Sequence, residues 1–444
     1  MNLTREVRAL ALPAIAHSLL QTLVFVVDRA MLGHHDALSL AGMQIAGPVE
    51  WSVWSIFLAF EVGTVAAIGR FVGQDDRAAA RSTLVVSLAY ATIAGLAVAA
   101  LTPLILAGVP LTARGATAPV IDGAKSYLVV TLCASPVIFL SSVATASLQA
   151  GGNTKAPLAI AIASNALHIV ANAILIPILG MRGCAISTAG TFALETILSL
   201  IVLSRPNIPV SLRPVVPAAR RGPGGSGLVD PRARLNDVFR VGWPSLLERV
   251  LYHAGFLGYV AIIGRLGDAV MAGNQALISV ESICFMSADG FGIAAAALVA
   301  QKLGAKKPDE AKRATRIAAR DAAVMLTTVG VLVFALRNYV LPVFAKDAAV
   351  VAVGLSAVPV LALAQPFMAT GIVMSQALRG AGRTRTALLI SLIGAVIVRL
   401  SATWLFAIVI PLGLPGVWLG STCDWIVRAA LLVVATRHLA REMQ

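Results

Sequence analysis

The chain has 444 residues, of which 58% are hydrophobic and 13% are charged, and its formal net charge is +14. Soluble domains carry about 25% charged residues, so this chain has too little charge to cover a water-exposed globule of its length. Its Lys and Arg residues lie between apolar blocks rather than on one basic face, which argues against a nucleic-acid-binding protein. The four cysteines are far apart and lack metal-ligand spacing, so we expect apolar packing residues and no metal site.

Apolar blocks of about 20 residues, the length that crosses a bilayer, recur along the whole chain. The first block follows Arg5 and Arg8 and contains His17, Gln21 and Asp28, so we interpret it as an uncleaved span rather than a secretory signal. We predict an all-α membrane protein with twelve transmembrane helices, near 9–32, 45–69, 82–109, 121–148, 156–179, 183–204, 236–264, 271–300, 318–343, 350–378, 386–411 and 414–436.

Positive charge is distributed unevenly between the two sides of these spans. If the N-terminus is cytoplasmic, 25 Lys and Arg residues fall in inner segments and 6 in outer loops. Because cytoplasmic loops carry the excess of Lys and Arg, both termini are expected to be cytoplasmic. The polar stretch Arg205–Arg234, with six prolines and four glycines, is predicted to be a flexible cytoplasmic linker.

The two sides of that linker repeat one another in sequence. At a constant offset Pro13 matches Pro244 and Glu50 matches Glu281, and the later loop LQAGGNTK matches LRGAGRTR. Six spans on each side keep the same orientation, so the halves are expected to be related by a pseudo-two-fold axis along the membrane normal. We therefore predict an N-terminal lobe at 1–204, a linker at 205–234 and a C-terminal lobe at 235–444, with six spans in each lobe.

Ionisable groups inside apolar spans are the candidate functional residues, since each costs about 2.5–3.5 kcal/mol at the membrane centre. No nucleotide-binding loop, metalloprotease motif or nucleophile elbow is present, so we predict no enzymatic activity and no cofactor. The acidic candidates are Asp28, Glu50, Glu61, Glu195, Glu248, Glu281, Asp289 and Asp424.

Two polar stripes stand out on the first and seventh spans. His17, Gln21 and Asp28 share one helix face, with Pro13 four residues before His17, and such a face is expected to line an interior cavity. Glu248, Tyr252 and Tyr259 form the corresponding stripe on the seventh span, and Tyr259 falls at the repeat position of Asp28. On the fifth span Asn165, His168 and Asn172 also share a face, as cavity residues or as interhelical hydrogen-bond partners.

Three segments resemble the multidrug and toxic compound extrusion (MATE) family, in particular its DinF-like prokaryotic branch. The segments are ALPAIAHSLLQTLVFVVDRAMLGH, LQAGGNTKAP with the following SNALHIVANAILI, and WPSLLERVLYHAGFLGYVAIIGRLG. The resemblance covers essentially the whole chain. It implies two six-helix lobes around a V-shaped cavity, alternating access, and export driven by protons or sodium.

The resemblance also assigns roles to residues. The family's first-helix aspartate falls on Asp28, its bending proline on Pro13 and its seventh-helix glutamate on Glu248. The fifth-helix pair, usually Asn and Asp, falls on His168 and Asn172, where both residues are substituted. Cation coupling is thus expected at Asp28 and Glu248, with Pro13, His17, Gln21, Asn165, His168, Asn172, Tyr252, Tyr259, Glu61 and Asp289 in the substrate cavity.

The resulting hypothesis is a monomeric antiporter in a bacterial or archaeal inner membrane that exchanges small organic compounds, often cationic or amphipathic, for H⁺ or Na⁺. Its partners are the small-molecule substrate and membrane lipid, without nucleic acid. The nearest alternative is a flippase for a lipid or lipid-linked precursor, which should show a basic cavity; Arg249 and Arg399 are the only features that favour it. An intramembrane transferase would need a catalytic loop, and a channel would show gradient-independent flux.

Overall fold

The structure, a computed structural model, describes residues 3–35, 37–112, 117–206, 208–213, 231–344 and 348–438. Nearly all of these described residues are helical and none of them lies in a strand. Helices are the expected solution, because lipid offers no partner for backbone N–H and C=O groups. The first half contains α1 (Leu3–His35), α2 (Ala37–Gly73), α3 (Arg77–Thr112), α4 (Ala118–Cys133), α5 (Ser135–Ala150), α6 (Lys155–Leu179) and α7 (Met181–Leu203).

The second half repeats this order with two π-helical segments, π1 and π2, added near its end. It contains α8 (Pro231–Gly264), α9 (Asp268–Gly304), α10 (Pro308–Ala335), α11 (Arg337–Phe344), α12 (Ala348–Gly380), α13 (Thr384–Ser391), π1 (Leu392–Val398), α14 (Arg399–Trp404), π2 (Leu405–Val409) and α15 (Leu414–His438). The segment from α13 to π2 forms one continuous rod of 26 residues.

Among the described residues, ten helices are long and apolar enough to cross a membrane, and the bent pair α4 and α5 provides an eleventh span. The pair bends by 54° at Ala134, where Pro136 enters the start of α5. Helix α8 has 34 residues, which is sufficient length, but Arg240, Glu248 and Arg249 lower its hydropathy. With α8 included, the described part of the chain supplies the six spans per half that the sequence predicts.

Two predicted boundaries differ from the structure. The span predicted near 318–343 is α10, which starts ten residues earlier because its first turns are amphipathic and carry Asp309 and Glu310. Helix α8 begins at Pro231, inside the predicted linker 205–234. Of that linker, residues 207 and 214–230 lie outside the described residues.

The chain divides into two compact units, Leu19–Gly242 and Met1–Ser18 with Trp243–Gln444. Each unit therefore takes the first part of one helix from the other half. The start of α8 joins the first of these units, where the ring of Phe239 lies 4.9 Å from Phe60 and 5.1 Å from Tyr90. The start of α1 belongs to the other unit, where a side chain at Gly290 would collide with the backbone of Ile15.

Each unit has its own apolar core. Leu32, Tyr127, Leu128 and Ile176 are among the buried residues of Leu19–Gly242. Trp418 and Leu361, with Leu277 and Leu341, are among the buried residues of the other unit.

Left-handed backbone conformations recur at the spacing of the sequence repeat. A positive φ is unusual for a residue with a side chain, so its recurrence at matched positions marks equivalent turns. The matched residues with positive φ are Asp75 and Lys306, Gly152 and Gly382, and Gly180 and Gly413.

Candidate functional site

Helices α1 and α6 bring together three of the predicted site residues. Asp28, His168 and Asn172 are 1%, 1% and 0% exposed. The Nε2 atom of His168 lies 2.6 Å from Oδ1 of Asp28. The Nδ2 group of Asn172 donates to the same carboxylate oxygen at 2.7 Å and lies 3.0 Å from the His168 Nε2 atom. The four-residue spacing of His168 and Asn172 places both on the face of α6 that meets Asp28.

Helix α7 fixes the other edge of the imidazole, which the sequence did not predict. His168 Nδ1 lies 3.0 Å from Oγ1 of Thr191 and 3.1 Å from Oγ of Ser187. Both hydroxyl groups donate elsewhere, Thr191 to the Ser187 carbonyl at 2.8 Å and Ser187 to the His168 carbonyl at 3.1 Å. Each therefore presents a lone pair to Nδ1, which favours a hydrogen on that nitrogen.

Three further carboxylates in this unit accept hydrogen bonds from hydroxyl groups. Glu195, which is 4% exposed, accepts from Ser141 at 3.0 Å and from Ser164 at 2.8 Å. Glu50 accepts from the Tyr127 hydroxyl at 3.1 Å. The predicted cavity residue Glu61 accepts from Ser142. Asn165, also a predicted cavity residue, is buried and donates to the Ala161 carbonyl at 2.7 Å, so it is held by its own helix.

A cavity of about 520 Å³ lies in the same unit. Its wall is mainly apolar and aromatic, and Glu50 is its one ionisable group. Gln21, from the predicted stripe of α1, also contributes to it. The cavity is lined by Gln21, Val24, Glu50, Val53, Trp54, Thr131, Leu132, Ser135, Ile138, Phe139, Thr188 and Phe192.

In the unit Met1–Ser18 with Trp243–Gln444, the predicted coupling residue Glu248 is held in an ion pair. An Arg379 amino group lies 2.6 Å from Oε1 of Glu248, and Ser391 Oγ donates to the same atom at 2.5 Å. The sequence counted Arg379 as a cytoplasmic loop residue, so this partner was missed. The predicted cavity residue Asp289 accepts from the side-chain amide of Gln376 at 3.0 Å.

The other predicted residues of this unit do not form one cluster with Glu248. His17 is 8% exposed and Pro13 lies inside α1. Tyr252 is 40% exposed, whereas Tyr259 is buried near the Arg399 guanidinium, which lies 5.8 Å from its ring.

A second buried ionic group, formed by α14 and α15, was also missed as a group by the sequence. Asp424 is 0% exposed and binds two arginines. Arg399 reaches one oxygen of Asp424 at 2.9 Å and 2.8 Å. Arg428 reaches both oxygens at 2.5 Å. The spacing of Asp424 and Arg428 by four residues was a sequence signal for a helical ion pair.

Comparison with known families locates the chain. The MatE family model matches it twice, at residues 13–174 and 244–405. The two matches start 231 residues apart, which confirms the internal repeat predicted from the sequence.

Curated relatives and solved structures agree with this match. A probable multidrug resistance protein NorM of Thermotoga maritima is 28% identical over 440 residues, which covers 97% of this chain and 91% of the relative. The multidrug resistance protein MdtK of Edwardsiella ictaluri is 24% identical and covers 99% and 96%.

Among solved structures, an outward-facing multidrug resistance MATE family transporter of the MOP superfamily superposes with a TM-score of 0.90 at 20% identity, over 100% of this chain and 97% of that one. A MOP superfamily transporter from Pyrococcus furiosus gives 0.89 at 19% over the same shares. The chain belongs to the MATE family and is a multi-pass membrane transporter.

Proposed function

We propose that this transporter exports small amphipathic organic compounds by alternating access and that protons drive the export through Asp28 and His168. The observation that carries the proposal is the buried contact of 2.6 Å between Asp28 Oδ1 and His168 Nε2. The names of the relatives, which are multidrug resistance proteins, support the substrate class.

The contact requires one proton between its two atoms. Thr191 and Ser187 favour the hydrogen on Nδ1, so in a neutral imidazole Nε2 carries a lone pair. A lone pair cannot lie 2.6 Å from a carboxylate oxygen without repulsion. Either Asp28 is protonated and donates to Nε2, or His168 is an imidazolium that donates to Asp28. Both forms hold the same number of protons and have no net charge, which suits a site away from water.

Loss of that proton would couple the pair to movement. A carboxylate and a neutral imidazole nitrogen would then face each other through lone pairs, and the pair would separate. Export follows if proton release occurs on the cytoplasmic side and accompanies substrate binding. One proton that crosses a potential of 100 mV gains about 2.3 kcal/mol. Each pH unit adds about 1.36 kcal/mol.

The same geometry argues against sodium. Hard cations prefer carboxylate, carbonyl and water oxygens. The two groups nearest to Asp28 Oδ1 are nitrogen atoms, of His168 and Asn172, and the latter presents hydrogen atoms.

The cavity supports a substrate with an apolar, aromatic body. A mainly apolar wall with a few polar groups is typical of small-molecule sites. Aromatic rings with a single carboxylate, Glu50, favour a planar cation, since such rings also attract cations through their faces.

Transport in proteoliposomes with separately imposed gradients tests the proposal. Purified chain is reconstituted, and uptake of ethidium is followed under a pH gradient or a sodium gradient. We expect the pH gradient to drive transport and the sodium gradient to have no effect. Asp28→Asn should abolish proton-driven transport, whereas Asp122→Asn, at an exposed position, should not. Sodium-driven transport at constant pH would contradict proton coupling, and lipid flipping without ethidium transport would favour the flippase.

A further inference from the structure

The second half of the chain has a buried polar centre at the positions that match the Asp28–His168 centre. The family model aligns the halves at an offset of 231 residues as far as 174 and 405. That offset pairs Asp28 with Tyr259, His168 with Arg399 and Asn172 with Thr403. The family's acidic centre is thus replaced in the second half by an arginine with neutral neighbours.

The last helix of each half extends this correspondence. Gly180 and Gly413 both have positive φ and precede α7 and α15, so they mark equivalent turns 233 residues apart. The added residues fall between Arg379 and Gly413, where the π-helical segments π1 and π2 lie, and a π-helical turn accommodates an extra residue. At this offset Thr191 pairs with Asp424 and Glu195 pairs with Arg428.

The polarity of the second centre is therefore reversed. Where the first half has two acids and a histidine, the second has two arginines that share one acid. Arginine stays charged at any physiological pH, so this centre cannot exchange protons through its guanidinium groups. It is suited to hold charge rather than to couple protons.

Aromatic rings and unpartnered donors surround the two guanidinium groups. Trp425 stacks 3.8 Å from Arg428 and lies 5.9 Å from Arg399. The indole Nε1 of Trp425 and the Oγ1 of Thr403 are buried and have no hydrogen-bond partner. Trp425 is 6% exposed and Thr403 0%. An indole N–H can only donate, so it is complementary to an acceptor.

Two glycines allow this arrangement to form. A side chain at Gly394, in π1, would collide with Asp424 and Arg428, and one at Gly420 would collide with Thr403. Glu281, the repeat partner of Glu50, is the nearest further acid and interacts electrostatically with both arginines.

We propose that Arg399 and Arg428 bind the oxyanion of a carboxylate-bearing amphipathic molecule, with Thr403 and Trp425 as additional donors. Guanidinium groups bind carboxylates through paired N–H donors, and Asp424 holds them in place when no ligand is bound. The inference widens the substrate class of the proposed exporter to anionic or zwitterionic compounds. Its binding step is independent of proton coupling, and only transport of such a ligand rests on the proposed function.

Binding of a matched probe pair to the purified full chain tests the inference. Pyrenebutyrate and pyrenebutanol share one ring system and differ in the carboxylate, and both are titrated by fluorescence in neutral detergent without added lipid. We expect the wild type to bind the acid at least ten-fold more tightly than the alcohol. Arg399→Gln should lose this preference, and the exposed Arg313→Gln should retain it.

Controls separate the inference from folding and from the proposed function. If Arg399→Gln does not give monodisperse protein, Arg399→Lys keeps the charge beside Asp424 but not the forked donors, and its acid preference should fall several-fold. Asp28→Asn should lose proton-driven export and keep the acid preference. Equal binding of acid and alcohol by the wild type, or an unchanged preference in both Arg399 variants, would show a purely structural ion cluster and overturn the inference.

Discussion

Asp28 and His168, 140 residues apart in sequence, meet at 2.6 Å between Oδ1 and Nε2 in a site that excludes water. This pair replaces the Asn that the family usually has at the histidine position. It converts a site of oxygen ligands into one in which a carboxylate and an imidazole share a proton. The remaining features of the unit Leu19–Gly242 act around this pair, since α7 orients the ring and the cavity holds the substrate.

Restoring the family pattern should change the coupling ion. The double variant His168→Asn and Asn172→Asp supplies two further oxygen ligands beside Asp28 and removes the imidazole. We expect sodium-driven transport to appear and proton-driven transport to fall, because oxygen ligands suit Na⁺. The measurement is transport in proteoliposomes under each gradient. The single variant Asn165→Asp, on the same helix but bonded to Ala161, is the control and should leave the coupling ion unchanged. A double variant that still uses only protons would reject the assignment.

The carboxylate of Glu50 should select for positively charged substrates. Glu50→Gln keeps an acceptor for the Tyr127 hydroxyl and the shape of the cavity, but it removes the charge. We expect affinity for a cationic dye to fall about ten-fold, while affinity for a neutral analogue of the same ring system changes little. Equilibrium binding to the purified protein provides both numbers. Equal losses for the two dyes would indicate a structural role for Glu50.

The ion pair of Glu248 and Arg379 should act in stability. The side chains are 10% and 19% exposed and 2.6 Å apart. Arg379→Gln leaves a carboxylate without its counter-charge, which should cost about 3 kcal/mol. Adding Glu248→Gln should recover most of that loss, because the unpaired charge is gone. Thermal unfolding of the single and double variants in detergent measures this. A double variant as unstable as the sum of the single variants would show that the two residues act independently.

Packing at Gly394 should control the Asp424 cluster. Gly394→Ala places a methyl group against Asp424 and Arg428, so it should lower stability by about 1–3 kcal/mol. Gly190→Ala, at an open helical position, is the matched control, and it should stabilise the helix by up to about 1 kcal/mol. Equal melting temperatures of the two variants would contradict the tight contact at Gly394.

The sequence predicted the helical fold, the number of spans and the repeat, because these depend on apolar length and on matched residues. It predicted that His168 and Asn172 share a face and that Asp28 faces the interior. It could not pair Glu248 with Arg379, since hydropathy placed that arginine in a loop. Nor could it group Asp424 with Arg399, because the pairing depends on how α14 and α15 pack. The assignments of coupling and cavity residues stay predictions until the variants are measured.

Proton release on substrate binding tests the central claim most directly. Purified protein in a weakly buffered solution with a pH indicator is mixed with saturating ethidium at a pH near 7. If Asp28 and His168 share an exchangeable proton that substrate displaces, the wild type should release about one proton per bound ethidium. Asp28→Asn should bind neutral substrates and release none, and Asp122→Asn should behave as the wild type does. Tight ethidium binding by the wild type without proton release, or equal release by Asp28→Asn, would contradict the account.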